Sequence, residues 1–547
     1  MAGGETRPQV IIVGAGPTGL ALAIELGSRS IPCLVIEKSE RAGWAPRAKT
    51  THNRTREHLR RWGIADKLAA ASPFGIDYPT NIAFVTRLSG PSITTFKWAL
   101  GCSPERDERY SEHSQWIPQY KLEAVLRAHA ESLDCVEIAF GKEFLSFEQD
   151  ETTVRVRVRD VETHGDEIYE AAFVVGADGA RSAVREAIGA KMVGKYGLAR
   201  HYNTIFRAPG LDKAHKHGKA IMIWQINADT PSVIGPMDQN DLWYFMPTIV
   251  GRDKQYTNEE MLALIRRSTG IDLPYEILSS DEWVASALIA DKYTEGRVLL
   301  AGDACHLHPP FGGFGMNMGI ADSVDLGWKL AAHLQGWAPR ELVESYEIER
   351  RPIHQFVIGE AAANHSVLPQ QLVREQLEED SAEGKAARKN LAKVIRKAKK
   401  QEFYSLGVTL GYRYKNSPII AYEAYDDWEW SREYESSAAP GCRAPHHWLE
   451  EGRSLYDLFG QGFTLLVLGD VEGGDIAHAW RESSRLEVPF KVVKLESPEL
   501  VQRYRATRAL IRPDHHVAWR GDQWSDGVLA LAVGQRAEAE KSNARVA

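Results

Sequence analysis

Gln9-Val-Ile-Ile-Val13-Gly14-Ala-Gly16-Pro17-Thr-Gly19-Leu-Ala-Leu-Ala-Ile-Glu-Leu26, followed by Pro32-Cys-Leu-Val-Ile36-Glu37, is the stretch on which the fold turns. An uninterrupted apolar run reads as a buried strand, the glycines break it, and the spacing from Leu20 to Leu26 is helical. A second strand then ends in an acidic residue, eighteen positions past the last glycine. A lone G-x-G-x-x-G carries little weight, but between a strand and a helix it is the fingerprint of a dinucleotide-binding unit. Gly14 permits the tight turn, Gly16 lets the backbone approach a pyrophosphate, and Gly19 allows close helix packing. Pro17 opens the helix, and Glu37, with Lys38 beside it, can receive a ribose diol. The motif by itself does not choose between FAD and NAD.

A second stretch pairs with it: Arg297-Val-Leu-Leu-Ala-Gly-Asp303-Ala-Cys-His-Leu-His-Pro-Pro310-Phe-Gly-Gly-Phe-Gly315-Met-Asn317-Met-Gly-Ile-Ala-Asp322. Val298 to Ala301 reads as a short buried strand that delivers Asp303 at its C-terminal end. Pro309 and Pro310 stiffen the following loop, while Gly312, Gly313 and Gly315 leave no side chains to hold a flat ligand off the backbone. From about Met316 the spacing of Ile320, Val324, Leu330 and Ala331 is helical. The loop therefore runs into a helix N-terminus, where free N–H groups stabilise an anionic ring locus. Alone, such a loop is an ordinary crossover; with the N-terminal fingerprint it reads as the far end of an extended nucleotide site.

The string Gly302-Asp303 through Lys329-Leu-Ala331 resembles the second FAD motif of the single-component, class A flavin-dependent aromatic hydroxylases, the phenol and para-hydroxybenzoate hydroxylase group. Asp178-Gly179 after Ala172-Phe-Val-Val-Gly176, and Ser345-Tyr346-Glu-Ile-Glu-Arg350-Arg351-Pro352, match further motifs of that family in the same order. The resemblance implies that Asp303 holds the ribityl chain, and that Pro310, Gly313, Gly315, Met316 and Asn317 lie against the pyrimidine edge of the isoalloxazine. It implies a catalytic cation at Arg47 beside the ring, with Pro310, and it makes His52 and Arg54 second choices. Gln119 would touch the flavin side chain, and Asp178 would serve FAD organisation and NAD(P)H use.

The implied activity uses FAD, NADH or NADPH, and O2 to place one oxygen atom on a phenolic ring through a flavin C4a-hydroperoxide, in aromatic-compound degradation. The alternatives are hydroxylation of a polycyclic polyketide, a flavin oxidase or dehydrogenase, and a non-catalytic FAD-binding interaction protein. The flavin halogenases share the fold, but their W-x-W-x-I-P signature is missing at Ile223-Trp-Gln-Ile-Asn.

The fold expected is α/β. A Rossmann-like, glutathione-reductase-like FAD-binding domain (1-75, 110-188 and 285-355) is interleaved with a mixed-sheet substrate domain (76-109 and 189-284). A helical linker or dimer region (356-436) follows, with a homodimer as the candidate assembly. Residues 437-547 resemble the thioredoxin-like C-terminal domain of the longer phenol hydroxylases, without a C-x-x-C, so thiol exchange is not its task. In the substrate domain Trp224, Gln225, Tyr244 and Phe311 are the candidate pocket wall, although aromatics in a sheet are more often core. The run from Gln370 to Gln401, acidic then basic, reads as a solvated helix or linker.

Bulk properties agree. At 547 residues the chain exceeds one core, and a formal charge of −8 gives no general attraction to nucleic acid. No signal peptide or apolar run of membrane-spanning length is evident, so a cytoplasmic location is expected. Five scattered cysteines argue against a disulfide framework. His306 and His308 form an H-x-H, but a Pro- and Gly-flanked loop is a poor cage, and no metal is expected.

Overall fold

The structure, a computed structural model, describes residues 7–40, 48–248, 254–365, 367–450, 452–469 and 473–535; Arg47 lies outside them. The strand Val10–Val13 is fully buried and pairs in parallel with Cys33–Glu37 on one side and Phe173–Gly176 on the other. Val136–Phe140 and Val298–Leu300 extend this parallel sheet, and Thr294–Glu295 adds an antiparallel edge. Strands far apart in sequence thus deliver Gly14, Asp178 and Asp303 to one carboxyl edge, where α/β sheets bind ligands.

Helix Pro17–Gly27 packs on helix Phe314–Leu334 beside that edge. The closest approach is at Thr18, where a Cβ on either Gly302 or Gly319 would overlap its hydroxyl. The second helix begins two residues before the sequence spacing predicts.

The region expected to bind substrate contains an eight-stranded sheet, antiparallel apart from the Met222–Gln225 pairing with Ile82–Val85. In its two longest strands, Met192–Arg207 and Glu276–Ala290, the stretch Val193 to Gly197 is exposed and Glu276 to Val284 is exposed or half-buried, so burial is concentrated in His201 to Phe206 and Ala285 to Ala290. One face, with Ile205, Trp224 and Tyr244, packs under helix Ala382–Phe403. The other, with Phe206, Ile234 and Phe245, packs under helix Asn258–Thr269, whose Thr257–Glu260 capping box fixes its start. His306–Leu307, just past Asp303, pairs with Leu288 and Ile289 at the sheet's edge, so the nucleotide loop is bonded directly to the substrate domain.

The segment Ser345 to Pro352 lies in a helix that runs on through the proline, over Arg340–His365, because Tyr346, Arg350 and His354 anchor the flanking turns in the core against the loss of one backbone hydrogen bond. The expectation for the next region is corrected. The Gln370–Gln401 region does contain a helix, Ala382–Phe403, but not one solvated on every side: Leu391, Ile395 and Phe403 are buried against the sheet. Their four-residue spacing, completed by Lys399, is an apolar stripe masked by the surrounding charges.

In the C-terminal domain Phe463–Val467 lies between Phe490–Lys494, parallel, and Arg508–Ile511, antiparallel, with Val517–Gly521 at the edge. Its Arg512 is wholly buried among Glu349, Asp325 and Asp514, and its Arg443 forks onto Glu57 at 2.6 and 3.0 Å. Buried pairs of this geometry lock the domain to the nucleotide fold.

Candidate active site

Gly14 adopts φ +108°, and a Cβ there would stand 2.5 Å from the Ala177 carbonyl oxygen. A Cβ on Gly19 would overlap the Gly14 carbonyl, so the turn admits only glycine at either place. Gly16 is the N-cap of helix Pro17–Gly27 and no side chain caps it, which leaves the helix start to an anion. Glu37 closes the turn by accepting the Ala15 N–H at 3.0 Å and the Ser39 N–H at 3.2 Å; Lys38 is exposed beside it. Asp178 accepts from the Ser182 hydroxyl at 2.5 Å and the Val184 N–H at 3.2 Å, and burial raises its pKa.

Along the second motif, Pro310, Gly313, Gly315 and Met316 are partly accessible, while Phe311, Gly312, Phe314 and Asn317 are buried. Gly313, at φ +68°, is the N-cap of helix Phe314–Leu334, again with no side-chain cap. A Cβ on Gly315 would meet nothing within 4 Å. Glycine in a helix costs roughly 1 kcal/mol against alanine, and here no protein contact requires it. Two uncapped helix starts, a glycine cradle between them and an open strip over Gly315 fit an extended dinucleotide carrying a flat ring: Gly14 to Gly19 and Glu37 would hold one end, Asp303 and Pro310 to Asn317 the other.

Two buried hubs hold this loop. Asp322 accepts from the Gly302 N–H at 3.1 Å, His306 Nε2 at 2.7 Å and Arg350 Nε at 2.8 Å, and His354 Nε2 is 2.8 Å away. Burial pushes its carboxyl up, but His354, Arg350 and His306 hold it well below the usual range. Cys305, His306 and Asp322 present ligand-type atoms close together, yet Asp322 is already neutralised by Arg350. Asn317 ties the loop to residues 50–55, and His52 Nε2 bonds the Gly312 carbonyl at 3.0 Å. Burial pushes His52 down to about 4, against the raising effect of that carbonyl.

Over the loop stands the inner face of the eight-stranded sheet. Trp224 stacks on Phe84, with Phe311 6.1 Å from its ring. Tyr244 donates to the Ile221 carbonyl at 3.1 Å, and Lys49 Nζ sits 4.5 Å over its ring. Among the described residues no carboxylate pairs with Lys49, and burial pushes its pKa down to about 8. Gln225 faces the other way, its amide held by the Leu88 N–H at 2.9 Å, by Ser232 and by Ser268. The strand alternates, so Gln225 cannot share a pocket with Trp224.

Residues 7–361 match the FAD binding domain family, and residues 437–537 match the aromatic-ring hydroxylase C-terminal domain. The chain belongs to the class A FAD-dependent aromatic monooxygenases. The monooxygenase is 32% identical over 485 residues to an aklavinone 12-hydroxylase of Streptomyces peucetius, covering 86% of this chain and 93% of that one. It superposes on the rebeccamycin biosynthetic enzyme RebC with reduced flavin at a TM-score of 0.89, with 31% identity over 97% and 99% of the two chains. A ternary complex of aklavinone-11 hydroxylase with FAD and aklavinone gives a TM-score of 0.82 and 28% identity, over 98% and 100%.

In the monooxygenase Gln119 lies beside the segment leading to Lys49, accepting the Ala48 N–H at 3.1 Å and donating to Glu123 at 2.8 Å. Arg54 is no free cation: it pairs with Glu57 at 3.2 Å and donates to the Asp514 carbonyl. Lys49, Asp322, His201 and His365 escaped the sequence reading. Only Lys49, two residues past Arg47, had a local signal. No helix among the described residues is long and apolar enough to cross a membrane.

Proposed function

We propose that this monooxygenase hydroxylates a fused-ring, oxygen-bearing aromatic substrate at the expense of NAD(P)H and O2, so that Ar–H, O2, NAD(P)H and a proton give Ar–OH, NAD(P)+ and water. The observation that carries the reading is the aromatic cluster of Trp224, Tyr244 and Phe311, the last of which belongs to the loop whose Pro310, Gly313, Gly315 and Met316 are partly accessible. Relatives whose names refer to aklavinone and rebeccamycin biosynthesis support a fused ring over a single one, and tailoring of a built molecule over its breakdown.

Bound FAD supplies the hydride acceptor and the activation of O2. The chain does the rest. The uncapped start of helix Phe314–Leu334 puts partial positive charge where negative charge gathers on the ring, and Asn317 keeps that start in place. Arg47, the cation that the family resemblance assigns beside the ring, would orient it. Lys49 holds the substrate's phenol as its anion, the more electron-rich form, and Trp224 and Phe311 keep water from the reacting face.

A panel of monocyclic phenols and hydroxyanthraquinones, followed by NAD(P)H oxidation and product mass, tests this. A hydroxyanthraquinone gaining one oxygen atom, faster than any monocyclic phenol, is expected. Efficient turnover of the monocyclic set alone would return the enzyme to ring degradation, and FAD reduction with no oxygenated product to the oxidases.

A further inference from the structure

Two imidazoles converge beside Phe311, each with a buried Nε2 that has no partner among the described residues. His201 lies on the strand Met192–Arg207, opposite Trp283 in register, and stacks on that indole with ring centres 4.6 Å apart. His365 ends the helix Arg340–His365, and its ring stands edge-on to His201 at 5.9 Å. Phe311 is 6.3 Å from the first ring and 5.3 Å from the second. In each histidine Nε2 is shut off from solvent without a hydrogen-bond partner, and His201 is only 2% exposed.

A buried nitrogen left unpaired costs about 1 to 3 kcal/mol, so folded proteins rarely keep one, and two from distant elements at one spot mark a place completed by a ligand. Burial holds His201 down to about 4, and burial with the nearby Lys399 charge lowers His365, so both rings are neutral at pH 7. Each free Nε2 therefore donates or accepts according to the tautomer, so the two together can present one N–H and one lone pair. Lys399 does not compete: its ammonium is held by Glu402 at 2.6 Å and the Asn364 carbonyl at 3.2 Å. A neutral donor beside a neutral acceptor suits a hydroxyl, which can both accept and donate, rather than a carboxylate, and the flanking Trp283 and Phe311 suit an aromatic plane.

We propose that His201 and His365 form a hydrogen-bonding subsite for a phenolic hydroxyl of the aromatic substrate, and so set which hydroxylation patterns the enzyme accepts. This rests on the reading of the protein as a hydroxylase of oxygen-bearing fused rings. No atom is transferred at this subsite.

The test is equilibrium binding of 1-hydroxyanthraquinone and anthraquinone to the FAD-loaded enzyme, read by fluorescence quenching, in the parent, His201→Phe and His365→Leu. The parent should prefer the hydroxylated probe about tenfold, the worth of one hydrogen bond of roughly 1.4 kcal/mol. Each variant should lose that preference while its anthraquinone affinity and flavin absorbance stay unchanged. His201→Gln, which keeps a donor and an acceptor, should restore part of it. Equal weakening of both probes, or a preference that survives both substitutions, overturns the subsite. A parent that binds neither probe overturns the fused-ring reading along with it, whereas turnover of the hydroxylated probe indifferent to both histidines overturns the subsite alone.

Discussion

The side-chain oxygen of Asn317 accepts the backbone N–H of His52 at 2.8 Å, joining the start of one helix to the start of another across the flavin loop. The same amide accepts the Thr55 hydroxyl at 2.7 Å and donates to the Thr50 carbonyl at 3.0 Å and the Gly313 carbonyl at 2.7 Å. Asn317→Ala should cost about 2 to 4 kcal/mol, with four hydrogen bonds at roughly 1 kcal/mol each, and should loosen FAD. Urea unfolding and FAD titration check this; unchanged FAD affinity would detach the clip from the cofactor site.

Arg512 is the cation on which Glu349 and Asp325 depend, at 2.6 and 3.0 Å, with Lys329 the other partner of both. Arg512→Met should destabilise by about 3 to 5 kcal/mol, the usual effect of stranding a buried charge. Removing residues from Pro440 onward also takes the Arg443 fork from Glu57 and leaves it Arg54, so the truncated chain should lose solubility before it loses flavin reduction. A soluble, well-folded truncation unable to reduce flavin contradicts this division of labour.

Acid should unfold the protein early. Burial holds His52, His201, His446 and His516 down to about 4, against 6.5 for an open histidine. Between these values the unfolded chain binds more protons, so this stability is complete above about pH 6.5 and drains away as pH falls toward 4. Asp325, held up near 7 by burial, acts in the opposite sense, as one group against four. Urea midpoints at pH 7.5, 6 and 5 should fall in that order; a flat series refutes the assignment.

Lys49→Met should raise the ionisation pKa of a bound phenol by about 1 to 3 units, the effect of removing an opposite charge within a few ångströms. Alizarin, whose visible band reports its ionisation, is the probe, titrated on the FAD-loaded enzyme. In the parent the anion-holding effect should fade above pH 8, as Lys49 itself deprotonates. Identical titrations in both proteins would place the ammonium away from the substrate.

The nucleotide fold could be read directly because its constraints are local. Gly14 is required by its own φ of +108°, Gly19 by the Gly14 carbonyl in the same turn, and Glu37 ends the next strand, so spacing carries most of the geometry. Asp178 and Asp303 could be placed for the same reason, each following a short apolar strand. The substrate face was far less legible. Trp224 and Gln225 are neighbours in sequence and equally buried, yet one faces Phe311 and the other Ser268, and only the strand register separates them.

Sequence by itself determined the βαβ fingerprint, the order of the motifs and hence the family, because those features rest on backbone turns a few residues long. Tertiary structure alone decided that Lys49 meets Tyr244, that a charge-rich helix covers Trp224, and that His201 and His365 share Phe311. These contacts join strands, loops and helix ends tens to hundreds of residues apart. Such partners are chosen by sheet register and by which faces bury together, and no short-range pattern in the chain encodes either.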